Sequence, residues 1–253
     1  MIIDNKIFLS FLDKISLNGM VNSAILTADE TGLSTQVIDT ARTVVAKCNV
    51  PLTAITEINS GPVVLNIGDS KESSLTWLKK ALKKYSDDIE VLVKNNVITI
   101  KHGRSRIAFP MVVDEYVRNN LTKELKYDFD NGFILPIDFI KQILKDIKLL
   151  DVKEVTFEIK DNKLFLSFAG SNSSIDEELE VDYHDCTVSF NSNIIENVLS
   201  VFETDVMLSI IDDKNPAHFV EVNQNDLVTS IIVAPIMTNE EEWKWLKNNL
   251  IKN

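Results

Sequence analysis

Two kinds of side chain stand at spacings that could do chemistry. The first is the catalytic kind. His184 and Cys186 lie two apart, and Gly68-Asp69-Ser70 could surround a nucleophilic serine. Neither set completes itself. The chain has three histidines, and His102 and His218 are isolated, so no zinc-ligand spacing forms. Gly-x-Ser-x-Gly, phosphate-loop and dinucleotide glycine patterns are absent. Gly68-Asp69-Ser70 sits just before a periodic helix, where Asp69 or Ser70 would serve as the cap. The expectation is therefore no catalytic residue, no metal and no cofactor. The second kind is lysine. Lys79, Lys80, Lys83 and Lys84 follow one another with no acid between them, Lys141, Lys145 and Lys148 recur at helical spacing, and Lys14 lies near the start with Lys6. Lysines so placed contact phosphates, which gives affinity without reading bases. Taken one helix at a time, they equally suit an ordinary solvated face.

The elements that position these lysines follow from hydrophobic period. Phe8, Phe11, Leu12 and Ile15 stripe a helix over Lys6 to Ser16. Short alternating segments follow at Met20 to Ala28, Leu33 to Ile38 and Thr43 to Leu52, the first pair joined through Asp29 to Gly32. A second helix reads from Lys71 to Tyr85 with stripe Leu75, Leu78, Leu82 and Tyr85, then strands Ile89 to Val93 and Val97 to Lys101 around Asn95-Asn96. The same order returns. A helix over Pro136 to Leu149 precedes a hairpin, Val155 to Lys160 and Lys163 to Phe168 around Asp161-Asn162. A helix over Asn191 to Glu203 precedes Val206 to Ile211 and His218 to Val222. Helix-then-hairpin thus begins near Lys6, Lys71, Pro136 and Asn191. The fold class expected is α+β: two similar domains, each with two helices packed on curved antiparallel sheets. Residues 1–113 form the first domain, 114–130 a connecting segment, 131–238 the second domain, and 239–253 a tail whose Trp243, Leu246 and Leu250 have helical spacing.

The 253 residues carry Lys+Arg 26 against Asp+Glu 38, a net charge of -12. That balance argues against a surface that grips nucleic acid all over, but not against one basic face on an acidic body. On the second helix the four lysines are expected opposite Leu75, Leu78 and Leu82; on the third, Lys141, Lys145 and Lys148 opposite Ile140, Ile143 and Ile147, diluted by Asp138 and Asp146. The fourth helix has Glu196 and Glu203 and no lysine. Two cysteines exclude a disulfide scaffold and suit a reducing compartment, so a cytoplasmic location is expected (host cytoplasm for a phage-encoded chain). No apolar stretch approaches membrane-spanning length, and no membrane partner is expected. Asn120-Leu121-Thr122 and Asn172-Ser173-Ser174 fit the glycosylation pattern without any sign of secretion.

In order and spacing the sequence resembles a sliding clamp of the proliferating cell nuclear antigen type, the polymerase processivity ring of archaea, eukaryotes and some large phages. Four places carry the resemblance: Val37-Ile38-Asp39-Thr40; Leu75 to Lys83 with Asp87-Asp88-Ile89; Leu135-Pro136 with Phe139 to Asp146; and Ile231-Ile232-Val233-Ala234-Pro235 with Glu240-Glu241. The resemblance implies a non-catalytic homotrimeric ring that encircles duplex DNA independently of sequence, is opened by a clamp loader and tethers a DNA polymerase. Lys14, Lys79, Lys80, Lys83, Lys84, Lys141, Lys145 and Lys148 would face DNA. Ile38, Thr43, Val45, Leu125, Tyr127, Pro235 and Ile236 would form a pocket for partner peptides. A strand at about Ser105 to Met111 would pair with one at about Ile175 to Val181 of the next chain. The acid-bearing fourth helix keeps a second reading open, a clamp-like protein scaffold that does not encircle DNA. An α+β enzyme with an unrecognised site is a third.

Overall fold

Asp4 begins the architecture by accepting a hydrogen bond from the Lys6 backbone N–H at 2.6 Å, which caps the first helix. The computed structural model describes residues 1–58, 62–121, 127, 129, 131–169, 176–222 and 226–236. They divide into two units.

The first unit gathers Met1–Ala41, Val45–Thr122 and Gln224–Ser230. It contains β1 (Ile2–Asp4), α1 (Asn5–Ser16), β2 (Ala24–Asp29), β3 (Gly32–Ile38), β4 (Val44–Pro51), β5 (Ile55–Glu57) and β6 (Val63–Ile67). Then come α2 (Leu75–Leu82), β7 (Asp88–Lys94), β8 (Val97–His102) and β9 (Ser105–Pro110). One sheet runs β5-β1-β7-β8-β9, all antiparallel, and a second run is ordered β6-β2-β3-β4. Helices α1 and α2 pack on each other. The stripes Phe8, Phe11, Leu12, Ile15 and Leu75, Leu78, Leu82 are at most 1% exposed. Each such side chain contributes roughly 1.5–3 kcal/mol of burial. Asn5 fastens the helices end to side: its Nδ2 donates to the Leu82 carbonyl at 3.1 Å and the Tyr85 carbonyl at 2.7 Å, satisfying orphan acceptors at the end of α2.

The second unit gathers Arg42–Val44, Lys123–Asn223 and Ile231–Asn253. It contains β10 (Phe133–Leu135), α3 (Ile137–Leu150), β11 (Glu154–Lys160), β12 (Lys163–Ala169), β13 (Asp176–Glu180) and β14 (Cys186–Asn191). α4 (Ser192–Leu199), β15 (Val206–Ser209), β16 (Ala217–Glu221) and β17 (Val228–Val233), the last of which belongs to this unit from Ile231 on, complete the order. One sheet runs β13-β12-β11-β14; a second run is ordered β10-β15-β16-β17. Helices α3 and α4 pack together, α3 also on β12 and α4 on β11 and β14. The repeat reaches single residues. Asn95-Asn96 (φ 53° and 58°) and Asp161-Asn162 (φ 52° and 60°) make the same left-handed two-residue turn in each unit, which asparagine and aspartate tolerate best after glycine.

Several expected boundaries move. The second helix starts at Leu75, capped by Ser74, whose Oγ accepts from the Trp77 N–H at 3.2 Å; Asp69 and Ser70 lie outside it. It ends at Leu82, leaving Lys84 in the turn beyond. Pro136 is the residue before α3, and Asp205 supplies the missing cap by accepting from the Ile137 N–H at 2.8 Å. The stretch from Val117 to Leu121 runs along β3: the Ile38 N–H donates to the Asn119 carbonyl at 2.8 Å and the Leu121 N–H to the Gln36 carbonyl at 3.1 Å. The expected tail, with Trp243, Trp245, Leu246 and Leu250, lies outside the described residues.

Candidate functional site

Helix geometry sorts the lysines. Lys80 lies about 200° from Leu78 around α2 and is exposed, as is Lys83 at its end. Lys145 is exposed on α3. These three make no ion pair among the described residues. Lys84 is exposed with its Nζ 4.9 Å from the centre of the Tyr85 ring. Lys141 is exposed and paired with Asp138 one turn back at 3.1 Å. Lys148 reaches Glu196 of α4 at 3.7 Å.

Three expectations fail here. Lys14, expected on the phosphate-facing side, is 0% exposed. It stands three residues after Phe11, which puts it on the buried stripe rather than opposite it. Lys79, expected opposite the stripe, stands four residues after Leu75 and leans over it, its side chain 18% exposed. There it donates to Ser16 Oγ at 2.8 Å and pairs with Asp13 of α1 at 2.7 Å. Asp146, expected to dilute the lysine face of α3, is 3% exposed and accepts from Gln142 Nε2 at 3.1 Å. In each unit, then, a carboxylate of one helix holds a lysine of its neighbour, Asp13 with Lys79 and Glu196 with Lys148. The surplus of positive charge narrows to Lys80, Lys83, Lys84 and Lys145.

The two strands expected to meet between chains are both sheet edges. β9 ends the sheet of the first unit and β13 that of the second. Their charges oppose. Arg104 and Arg106 are exposed at β9, while β13 presents Glu177, Glu178 and Glu180, followed by exposed Asp182. Lys163 of β12 takes up part of that charge, 2.5 Å from Glu178, whose hydrogen bond raises the lysine pKa. Ile175 lies outside the described residues.

Of the residues expected to receive a partner peptide, Ile38 and Val45 belong to the first unit, face each other across β3 and β4, and are each 7% exposed. Thr43, Tyr127, Pro235 and Ile236 belong to the second. There the Thr43 carbonyl accepts from the Ala234 N–H at 2.8 Å, and Ile236 stands 44% exposed. The Tyr127 ring lies 5.5 Å from Phe129, which lies 4.6 Å from His218. Burial pushes the His218 imidazole down to about 4. Leu125 lies outside the described residues. The Phe129–His218 contact was missed in the sequence, where His218 read as an isolated histidine. Among the described residues no three His, Cys, Asp or Glu gather as metal ligands, and no helix is long and apolar enough to cross a membrane.

No family model and no curated protein matches this sequence. Solved structures match by fold. The proliferating cellular nuclear antigen of Entamoeba histolytica superposes with a TM-score of 0.78 at 17% identity, covering 92% of this chain and 96% of that one. The PCNA of A. fulgidus, in a structure with the C-terminal region of FEN-1 bound, gives 0.79 at 14% identity over 94% and 98%. A PCNA2–PCNA3 complex from Sulfolobus tokodaii gives 0.73 at 15% identity over 93% and 99%. The chain has the PCNA clamp fold: the repeat in its sequence led to the α+β arrangement of helices on antiparallel sheets, and the resemblance to the clamp.

Proposed function

We propose that this chain is a DNA sliding clamp, a ring that acts by binding and tethering and performs no reaction of its own. Copies join head to tail, β9 of one against β13 of the next, and three copies close the ring. Duplex DNA passes along the lysine-bearing helices, touched at its phosphates by Lys80, Lys83, Lys84 and Lys145, with Lys141 and Lys148 able to exchange their carboxylates for phosphate. A polymerase or other partner docks a short peptide on the clamp, raising its own effective concentration at the primer end. A clamp loader opens the ring.

The observation that carries this is the coincidence of the clamp fold over more than nine-tenths of the chain with two open sheet edges of opposite charge, one in each unit. A head-to-tail contact closes into a ring only where the rotation per copy fits, and closure then hides both edges. Similar clamps support partners of both kinds: the C-terminal region of FEN-1 is bound to one, and PCNA2 and PCNA3 are joined in another. Solution mass together with retention on circular DNA tests the proposal. A trimer held on a closed circle and shed from the same DNA once linearised is the expected result. A stable monomer would end it. A trimer that ignores DNA topology would favour the scaffold reading, for which the Asp13–Lys79 and Glu196–Lys148 pairs and the lysine-free α4 speak.

A further inference from the structure

A cleft of about 730 Å³ opens in the first unit, and no residue of the lysine-bearing helix α2 lines it. The β2–β3 turn, with Asp29 and Glu30, forms one wall. The chain entering and leaving β5, with Leu52, Ile55, Glu57 and Ile58, forms the other. Its floor is aliphatic, and Leu52 is 42% exposed there. Its rim is acidic, and no lysine, arginine or histidine is among the described residues that line it. Asp29 accepts from the Thr31 hydroxyl at 2.7 Å and the Thr31 N–H at 2.8 Å, which holds its carboxyl below the usual carboxylate range. β5 is an edge: it pairs with β1 on one side, and no described strand pairs with its other side.

These features together describe an occupant. An open strand edge offers backbone N–H and C=O groups to an extended chain. Apolar floor beneath it takes alternate side chains. The carboxylates Asp29 and Glu30 on the turn call for cations and repel phosphates, so nucleic acid does not fit. We propose that this cleft docks a short extended segment of a partner protein, its backbone along the free side of β5, an aliphatic or aromatic side chain on Leu52 and Ile58, and lysine or arginine against Glu30 and Asp29. The cleft shares no lining residue with the peptide-binding set around Ile38 and Ile236. It rests on the first unit alone, so it stands whether or not the chain encircles DNA.

Selection of random phage-displayed peptides on the immobilised full chain tests this, followed by fluorescence anisotropy of the enriched peptides. Expected are sequences that join lysine or arginine to leucine, valine or an aromatic residue. Leu52→Asp and Glu30→Lys should each weaken them by about tenfold or more. Both side chains are surface groups, so melting temperature and solution mass should stay as in the parent. Ile236→Asp should leave the binding unchanged. No enrichment, enrichment of peptides without cations, or binding that tolerates both cleft substitutions and fails with Ile236→Asp would overturn the proposal.

Discussion

At Asn119 one buried residue closes three hydrogen bonds besides the one its carbonyl accepts from Ile38: Nδ2 donates to the Ile38 carbonyl at 2.8 Å, Oδ1 accepts from the Ser23 hydroxyl at 2.9 Å, and its own N–H donates to that hydroxyl at 3.3 Å. Asn119→Ala would strand the Ile38 carbonyl in the interior and leave the Ser23 hydroxyl proton without its acceptor, while the backbone N–H of residue 119 still donates to that hydroxyl. A loss of about 1–3 kcal/mol in urea unfolding is expected, with limited proteolysis shifting to the stretch around Asn119. His218 gives a pH dependence of definite sign. Its folded pKa of about 4 lies below the ordinary value of 6.5, so the fold binds the neutral ring. Stability from this group is complete above pH 6.5 and falls as the pH drops toward 4. Between pH 7 and 5 the loss should be on the order of 1 kcal/mol, after allowance for partial exposure, and His218→Phe should shrink it in paired denaturation curves. Lysine positions were only half legible at this scale. Lys80 and Lys145 stand where the helical wheel puts them. Lys14 and Lys79 show that a lysine three or four residues from a core side chain lies along the stripe, whatever its charge, with its ammonium carried to a partner.

Among the elements, α2 and α3 carry the prediction about DNA. Lys80→Ala, Lys83→Ala and Lys145→Ala together should weaken binding alike for all sequences and flatten the log–log salt slope by ~0.9 for each phosphate no longer neutralised. Lys79→Ala should do less to that slope, since its charge is already met by Asp13. A change of sequence preference would contradict binding through the phosphates. The edges predict a rescue: Arg106→Glu alone or Glu180→Lys alone should give monomers on size exclusion, and the two changes in one chain should restore assembly. The elements best read from sequence were long and periodic, or turned on Asn-Asn and Asp-Asn. β1, β5 and β10 span three residues each, too few to show a period of two. α2 was read too long because its apolar spacing continues past Leu82 to Tyr85, which is buried from a turn.

For the whole molecule the deciding quantity is mass in solution. A trimer at micromolar concentration that dissociates as salt rises is the outcome expected from the proposed ring, because attraction between exposed opposite charges is screened. The repeat was legible because both halves bury the same helix-on-sheet pattern. The pairing of strands between copies came from the family resemblance alone, since edge strands advertise nothing in their hydrophobic period. The opposite charge of β9 and β13 has one further consequence. Two glutamate-rich β13 edges repel each other, and so do two arginine-bearing β9 edges, so a copy meeting a copy in solution is steered away from mirror-like pairing and from runaway stacking of identical strands. Every junction that forms then points the same way round, which gives whatever is built from these chains two distinguishable sides, and a partner approaching from one side meets a different molecule from a partner approaching from the other.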